Sequence, residues 1–322
     1  MPHLALVQPC EAARALSEPS HRGLSSDAVT AAKNFILEFG TNLQRERLLY
    51  HFPADADQPV NNRNVLAALK HYQNNDGGFG HGLEPDLRTK QSTVIATTVA
   101  LQILESVGGE ASLIADHAMQ YLSSQFIDGN WQAIHAGAND APHAPWWRYE
   151  AARVTGFAAN PGAEVLRYLL NRSWMANETA ELLNRAIHHI KTQPLELHEL
   201  LCFNRLYECK ALTKQTRIEL LPYLLSNGYQ LVNVERCDWE EYCLTPLALV
   251  THPGSVFAEF FADTIDANFD FLIDQQQPDG SWRPTWSWAG EFPGSWKIAE
   301  TEIRAELTLK NLQQFAAFNR LH

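Results

Sequence analysis

The sequence has few cysteines, little positive charge and no long apolar run, and each shortage excludes a class of protein. Its five cysteines are odd in number and irregularly spaced, which argues against a disulfide framework and favours a reducing compartment. With 37 acidic against 25 basic residues the formal charge is −12, which excludes the clustered Lys and Arg of a nucleic-acid-binding surface. No segment approaches the roughly 18 apolar residues of a membrane span, and the N-terminus lacks a signal peptide's apolar run. We therefore expect a globular, cytoplasmic protein.

A short pattern, Q-x-x-D-G-x-(F/W), recurs along the chain. It occurs at Gln73–Phe79, Gln125–Trp131 and Gln276–Trp282. The glutamines are 52 and then 151 positions apart, close to one and three steps of a period near fifty residues. A degenerate copy is expected at the turn Asn227-Gly228-Tyr229. In such loops Gln can bond exposed helix ends, Gly permits a positive φ, and the aromatic ring packs between hairpins.

Apolar positions at three- and four-residue spacing predict about a dozen helices between residues 26 and 319. The predicted runs include 26–50, 146–153 and 237–250, and strand-like alternation is almost absent. Six helical hairpins form either an open solenoid or a closed ring, and their number favours the ring. We predict an all-α fold, an (α/α)6 toroid with inner and outer helices, over residues 25–322. Residues 1–24 are expected to be a loosely ordered leader.

The repeated pattern resembles the QW motif of squalene and hopene cyclases and the repeat of protein prenyltransferase β subunits. The matching residues are Gln73, Gly77 and Phe79; Gln125, Gly129 and Trp131; and Gln276, Gly280 and Trp282. Proteins of that superfamily fold as α/α toroids, so the resemblance supports the ring. The Leu-Glu-Pro-Asp-x-Arg loop, residues 83–88, also resembles that of bacterial single-domain proteins with prenyltransferase- and squalene-oxidase-type repeats. The resemblance to this superfamily implies a terpenoid-cyclase-like enzyme, an isomerase or lyase, with an isoprenoid or similar apolar substrate in a central aromatic cavity.

Three acids resemble the D-x-D-D motif of class II terpene cyclases, in which the middle Asp donates the initiating proton at the start of an inner helix. Here the pattern is D-x-E-E, and an apolar stretch follows it. The resemblance makes Glu240 the proton donor, flanked by Asp238 and Glu241. Crowded, buried carboxyl groups hold a proton until it is needed. Alternatively, these acids only favour the dipole at a helix N-terminus.

A glycine-rich loop, Asp76 to Arg88, carries a second set of candidates, His81, Glu84, Asp86 and Arg88. We expect His81 and Arg88 to bind substrate, with Arg88 holding a diphosphate or a carboxylate. Glu84 or Asp86 would act as acid or base. The structural alternative is that Asp86 caps the following helix while Arg88 pairs with Glu84.

Tryptophans cluster in the repeat loops, which a toroid brings to one rim. Aromatic faces attract a carbocation and exclude water, so we predict that these side chains line a substrate cavity. The alternative is ordinary packing of hairpin ends. The candidates are Trp131, Trp146, Trp147, Trp239, Trp282, Trp286, Trp288 and Trp296.

No metal or cofactor is predicted, although zinc, magnesium and calcium stay open. Cys237, Asp238, Cys243 and His252 are the nearby candidates for a mixed zinc site. Full-length class II cyclases form their site between two helical domains, whereas this chain supplies one. We therefore expect a lid or a second subunit to close the cavity. Two alternatives remain: a toroid that only binds a ligand or a protein, and a polysaccharide-lyase-like enzyme. The lyase would have an Arg base and calcium ligands between Glu84 and Arg88.

Overall fold

The computed structural model describes residues 21–54, 60–151 and 156–322, and it is helical throughout. Within these ranges there are twelve α-helices and three short 3-10 helices, and extended backbone is confined to isolated bridges. The α-helices are α1 (Ser26–Phe39), α2 (Asn42–His51), α3 (Arg63–Lys70), α4 (Val94–Ser106), α5 (Leu113–Ser124), α6 (Ala159–Arg172), α7 (Ala176–Thr192), α8 (Leu197–Tyr207), α9 (Lys214–Leu231), α10 (Pro246–Leu249), α11 (Ala262–Gln275) and α12 (Pro293–Ala317).

The helices form an inner and an outer ring around an axial cavity. Side chains from all six even-numbered helices line a space of about 830 Å³. The odd-numbered helices pack outside them: α1 on α12, α3 on α2, α5 on α4 and α6, α7 on α6, α9 on α8, and α11 on α10. Six inner helices inside six outer ones form an (α/α)6 toroid, which confirms the predicted fold class.

The ring closes where the last hairpin meets the first. Helix α1 packs against α12, and Leu24 pairs with the end of the chain: its N–H donates to the Arg320 carbonyl at 2.8 Å, and its own carbonyl accepts from the His322 N–H at 3.0 Å. Ser26 Oγ also donates to the His322 carbonyl at 2.8 Å. These contacts exclude an open solenoid, whose terminal repeats do not touch.

Two of the repeat loops make the same contacts with the next hairpin. Gln73 Nε2 donates to the Gly77 carbonyl in its own loop at 2.9 Å and to the Ile114 carbonyl of α5 at 3.0 Å. Gln276 Nε2 donates to the Gly280 carbonyl at 2.9 Å and to the Ala28 carbonyl of α1 at 3.0 Å. The same pair of hydrogen bonds therefore links neighbouring hairpins at Gln73 and joins the last hairpin to the first at Gln276.

Glycine is required in these loops by conformation and by space. Gly77 and Gly280 both have a φ of 88°, in the left-handed region. A Cβ atom on Gly77 would lie 2.3 Å from the His117 carbonyl oxygen, and one on Gly280 would lie 2.3 Å from the Ala31 carbonyl carbon. Each loop therefore presses its backbone directly on the next outer helix.

The middle copy is built differently. Gln125 Nε2 donates to the neighbouring Ser124 Oγ, at 3.1 Å, instead of to the next hairpin within the described residues. The link to the next hairpin comes from Arg185 on α7, which donates to the Gly129 carbonyl at 2.6 Å and to the Gly156 carbonyl at 2.8 Å. In this loop an arginine of the next hairpin makes the connection between hairpins that a glutamine makes in the other two loops.

Three local predictions were wrong. Residues 26–50 form two helices, because Thr41 caps α2 and exchanges hydrogen bonds with Gln44 in a capping box. The run 146–153 contains only the 3-10 turn Pro145–Trp147, and residues 152–155 lie outside the described part. Asn227–Tyr229 is not a turn, because all three residues lie inside α9, where Gly228 packs under Phe257.

The predicted helix 237–250 is also absent. Its first part is a 3-10 turn, Arg236–Asp238, and α10 begins only at Pro246, behind the N-cap Thr245. Most of the predicted leader, residues 1–20, lies outside the described residues, so the boundary at 25 stays a prediction. None of the helices in the described ranges has the length and apolarity to cross a membrane.

Candidate active site

The loop from Asp76 to Arg88 is held against a second long loop that follows α5. The Asp86 carbonyl accepts from the Ala144 N–H at 2.8 Å, and the Arg88 N–H donates to the Pro142 carbonyl at 2.9 Å. A bridge between Leu87 and His143 lies between these two bonds. Backbone contacts therefore fix three consecutive residues of the glycine-rich loop. They hold the Asp86 backbone in place whether or not its carboxyl group makes hydrogen bonds.

The Asp86 carboxyl group is buried, with 7% of the residue exposed, and both of its oxygens accept from indole N–H groups. Trp288 Nε1 donates to Oδ1 at 2.7 Å, and Trp286 Nε1 donates to Oδ2 at 3.1 Å. Burial raises the pKa of Asp86, and the two indole bonds oppose that rise only in part. Asp86 is therefore a carboxyl group with an increased tendency to hold a proton.

Glu84 lies beside it and has the larger shift. Burial, and then the nearby Asp86 charge, raise the pKa of Glu84 to about 7. Glu84 Oε1 accepts a long bond, 3.4 Å, from the Asp86 backbone N–H. Since two carboxyl groups this close oppose each other's ionisation, the pair titrates as a unit and retains a proton near neutral pH.

Tryptophan side chains surround this acid pair. Trp288 is fully buried and its ring centroid lies 5.7 Å from that of Trp296. Trp147 and Trp286 pack into the same apolar cluster, together with Ile303 of α12. Four of the predicted tryptophans thus form the surroundings that keep water from Asp86.

An aromatic cavity of about 680 Å³ adjoins the acid pair, within the usual range for small-molecule sites. Trp239, Trp282 and Trp286 line it, with Tyr242 and Phe271. The Tyr242 ring lies edge-on to Trp286, at 5.9 Å between centroids. Because Trp286 both lines this cavity and bonds Asp86, the acid lies directly behind the aromatic wall.

Two predicted tryptophans lie away from this cavity. Trp131 is buried and donates to the Leu122 carbonyl at 2.7 Å, so it packs its own hairpin end. Trp146 is 49% exposed. Trp147, Trp288 and Trp296 pack in the apolar cluster beside Asp86 and are not among the residues that line the cavity. The whole set therefore does not line one cavity: Trp239, Trp282 and Trp286 do.

Arg88 is bound to α12. Its guanidinium group makes a two-pronged ion pair with Glu302, with Nη2 to Oε1 at 3.2 Å. The pairing with Glu84 that we considered does not occur, because the loop directs Arg88 across Gly82 towards α12. A Cβ atom on Gly82 would lie 2.9 Å from the centre of that guanidinium group. His81 is exposed and bonds Asn74, so it lies outside this site.

The three acids of the D-x-E-E segment are exposed. Asp238 accepts from Asn233 Nδ2 at 3.0 Å, and Glu240 lies at the rim of the aromatic cavity, 3.4 Å from Gln275 Nε2. The expected position at the start of an inner helix is wrong, since the segment forms a 3-10 turn and a bend before α10. These acids therefore lack the buried surroundings that Asp86 has.

The candidate zinc ligands do not assemble. Cys237 Sγ and Cys243 Sγ both bond Asp238, whereas His252 Nε2 lies 3.2 Å from Glu208 instead. Across the described ranges, no group of three or more His, Cys, Asp or Glu side chains is placed to hold a metal ion. An Arg base for a lyase would have to be Arg88, and that group is occupied by Glu302.

Sequence reasoning missed a polar row along the inner helix α12. Glu302, Glu306, Lys310 and Gln314 follow at intervals of four residues and so lie on one helix face. Arg47 of α2 pairs with Glu306 at 2.6 Å, and Lys310 and Gln314 line the axial cavity. The signal was available in the sequence as charged and polar residues recurring every four positions.

No protein-family model matches the chain, and no curated protein is similar to it in sequence. Among solved structures, it is similar to a variant of type II terpene cyclase MstE from Scytonema in complex with merosterolic acid A, the product. That match has a TM-score of 0.50 and 13% identity, and it covers 91% of this chain and 97% of that one. Ligand-free MstE gives a TM-score of 0.49 at 13% identity over 90% and 99% of the chains. A protein from Actinoplanes gives 0.42 at 15% over 91% and 98%. The first match shows that this chain has a terpene-cyclase-like fold.

Proposed function

We propose that this protein is a terpenoid-cyclase-like enzyme that protonates an isoprenoid or similar apolar substrate with the carboxyl group of Asp86. The observation that carries the proposal is a buried acid of raised pKa behind the wall of an aromatic cavity. Acid-initiated cyclisation needs a carboxylic acid that is neutral before the reaction and strongly acidic during it. Burial provides the first property and the two indole donors provide the second.

The proton leaves Asp86 from Oδ2, the oxygen bound to the cavity-lining Trp286. Its bond to Trp286 is the longer of the two, 3.1 Å, so Oδ2 is the better place for a proton. The shorter bond from Trp288 to Oδ1 stabilises the carboxylate that remains. The proton adds to a terminal double bond or epoxide of the substrate, where it leaves a carbocation or an opened ring.

Glu84 is proposed to return the proton. With a pKa near 7 it still carries a proton in many molecules at neutral pH, and it lies next to Asp86. After each turnover the Asp86 carboxylate regains a proton from solvent through Glu84, which lies beside it and exchanges protons near neutral pH.

The aromatic wall suits the carbocation that this step creates. The faces of Trp239, Trp282 and Trp286 carry negative quadrupole potential and cannot act as nucleophiles. Tyr242 at the cavity is 51% exposed, so the wall is open there. Closure by a lid or a second subunit therefore stays part of the proposal.

The test is product formation from geranylgeranyl and squalene-type substrates, followed by mass spectrometry. Asp86→Asn keeps the shape of the side chain but removes the proton, so we expect turnover to fall by about 10²–10⁴-fold. Glu240→Gln is the matched control, because Glu240 lies exposed at the rim of the same cavity, and it should retain wild-type turnover. Loss of turnover in Glu240→Gln with an active Asp86→Asn would assign the acid to the D-x-E-E segment. Binding without turnover in the wild type would favour the binding-only toroid.

A further inference from the structure

The axial cavity continues beyond its aromatic part into a polar part that the proposed acid chemistry does not use. Leu201, Ala248, Lys310 and Gln314 line both parts, so the two are continuous along the ring axis. The polar part has a volume of about 830 Å³. A ligand that fills the axis would therefore have one end among aromatic rings and the other among charged groups.

The arginines of the polar part already have carboxylate partners. Arg47 pairs with Glu306 at 2.6 Å. Arg205 pairs with the buried Glu164 at 3.1 Å, and Arg167 Nη2 lies 3.0 Å from Glu105 Oε2. Because carboxylates of the protein neutralise these arginines, the arginines line the cavity but offer little positive charge to a bound anion.

Lys310 is the exception in this wall. Lys310 lies inside the ring of helices, but its side chain extends into the open space of the cavity and is therefore exposed. Across the described residues its ammonium group makes no ion pair or side-chain hydrogen bond, since Glu306, one turn earlier, is bound to Arg47 and Gln44. Burial and then the Arg205 charge lower the pKa of Lys310. An anion placed beside it would relieve both effects.

Three further polar atoms in the same wall have no hydrogen-bond partner among the described residues. They are Arg47 Nε, His51 Nε2 and Asn204 Oδ1. The Arg47 and Asn204 residues are only 7% and 6% exposed, and a buried polar atom without a hydrogen bond costs about 1–3 kcal/mol. Unsatisfied polar atoms that line the same cavity as an unpaired ammonium are typical of a polar binding site.

We propose that this polar part binds the anionic headgroup, a carboxylate or a phosphate, of an amphipathic ligand whose apolar body lies in the aromatic part. Lys310 is the group that recognises the anion, and the N–H groups at Arg47 Nε and His51 Nε2 donate to its remaining oxygens. The identity of the apolar body as an isoprenoid rests on the proposed function. The headgroup site itself rests on the cavity alone, and a negative headgroup would also neutralise a cation that otherwise disfavours a nearby carbocation.

The test is direct binding by calorimetry, without turnover. The probes are geranylgeranoic acid, geranylgeranyl diphosphate and geranylgeraniol, with palmitic acid and hexadecanol as non-isoprenoid counterparts. Lys310→Met keeps the length of the side chain but removes the charge, and it should weaken the binding of the acids about 10–100-fold, with the alcohols unchanged. Lys297→Met on the exposed surface of α12 is the matched control, and Lys310→Arg should retain most of the binding.

The possible outcomes separate this inference from the proposed function. Acid binding that depends on Lys310 supports the headgroup site, and the better of the carboxylate and diphosphate probes identifies its chemistry. If palmitic acid shows that dependence but no isoprenoid is converted, the site stands and the cyclase proposal fails. If acids and alcohols bind alike, or Lys310→Met binds both as the wild type does, the headgroup site is overturned. Failure of every probe to bind overturns it as well.

Discussion

At the residue scale, the acid pair shows how distant parts of the chain create one chemical property. Asp86 alone is a short carboxyl group in a glycine-rich loop. Its raised pKa comes from burial by tryptophans about 200 residues later, and that of Glu84 comes from burial and from Asp86. Proton retention is therefore a product of the closed fold and would be lost if the loop after α11 moved away.

The pKa of Glu84 predicts a dependence of stability on pH. Because the pKa is raised from 4.5 to about 7 in the folded state, the neutral form favours folding. This stabilisation is complete below pH 4.5 and is lost as the pH rises through 7. Glu84→Gln removes it, so the variant should gain about 1–3 kcal/mol relative to the wild type between pH 5 and pH 8, at about 1.4 kcal/mol per pKa unit.

Thermal unfolding of both proteins at several pH values measures this gain. The exposed Glu38→Gln on α1 is the control, and its difference from the wild type should not change over the same range. A constant difference between Glu84→Gln and the wild type would contradict the shifted pKa.

At the element scale, the loop glutamines predict unequal stability effects from the same substitution. Gln276→Ala removes two hydrogen bonds to backbone carbonyls, one of them in the first helix of the ring, and should destabilise the protein by about 1–3 kcal/mol. Gln125→Ala removes a single bond to an exposed neighbour and should change stability by less than about 0.5 kcal/mol. Urea unfolding measures the free energy of unfolding of both variants. Equal decreases would show that the hydrogen bonds of Gln276 do not stabilise the closed ring.

The elements that could be predicted from the sequence are those with a strong local signal. The hairpin number and the all-helical class follow from apolar spacing and from the recurring glutamine and glycine residues. The break between α1 and α2 also has a local signal, the Thr41 cap with Gln44, which a reading of apolar spacing alone passes over. The D-x-E-E segment had a helical pattern, but Pro246 and the Thr245 cap start α10 later.

The site was predictable only in its composition. Asp86, Glu84 and the tryptophans were identified as candidates, but no local pattern connects residue 86 to residues 286 and 288, because ring closure brings them together. Likewise, only the folded ring reveals that Lys310 extends into the cavity while its neighbours on α12 are paired. Long-range contacts decide which candidates share a site.

At the scale of the whole molecule, closure should make the first and last helices as stable as the middle ones. In an open array of repeats the terminal units have one neighbour each and unfold first. Here α1 contacts α12, and Arg320 connects the two ends: it pairs with Asp266 of α11, donates to the Arg22 carbonyl at 3.0 Å and stacks on Phe269.

Hydrogen exchange measures this property directly. We expect the central amides of α1 and α12 to exchange as slowly as those of α6 and α8, since all four open only when the ring opens. Arg320→Met removes the ion pair and the bond to Arg22, so exchange in α1 and α12 should accelerate before that in α6 and α8. If the wild-type α1 and α12 already exchanged much faster than the middle helices, the ends would open independently. The acid behind Trp286 and Trp288, whose loop leads into α12, would then lose the closed wall on which its proton retention depends.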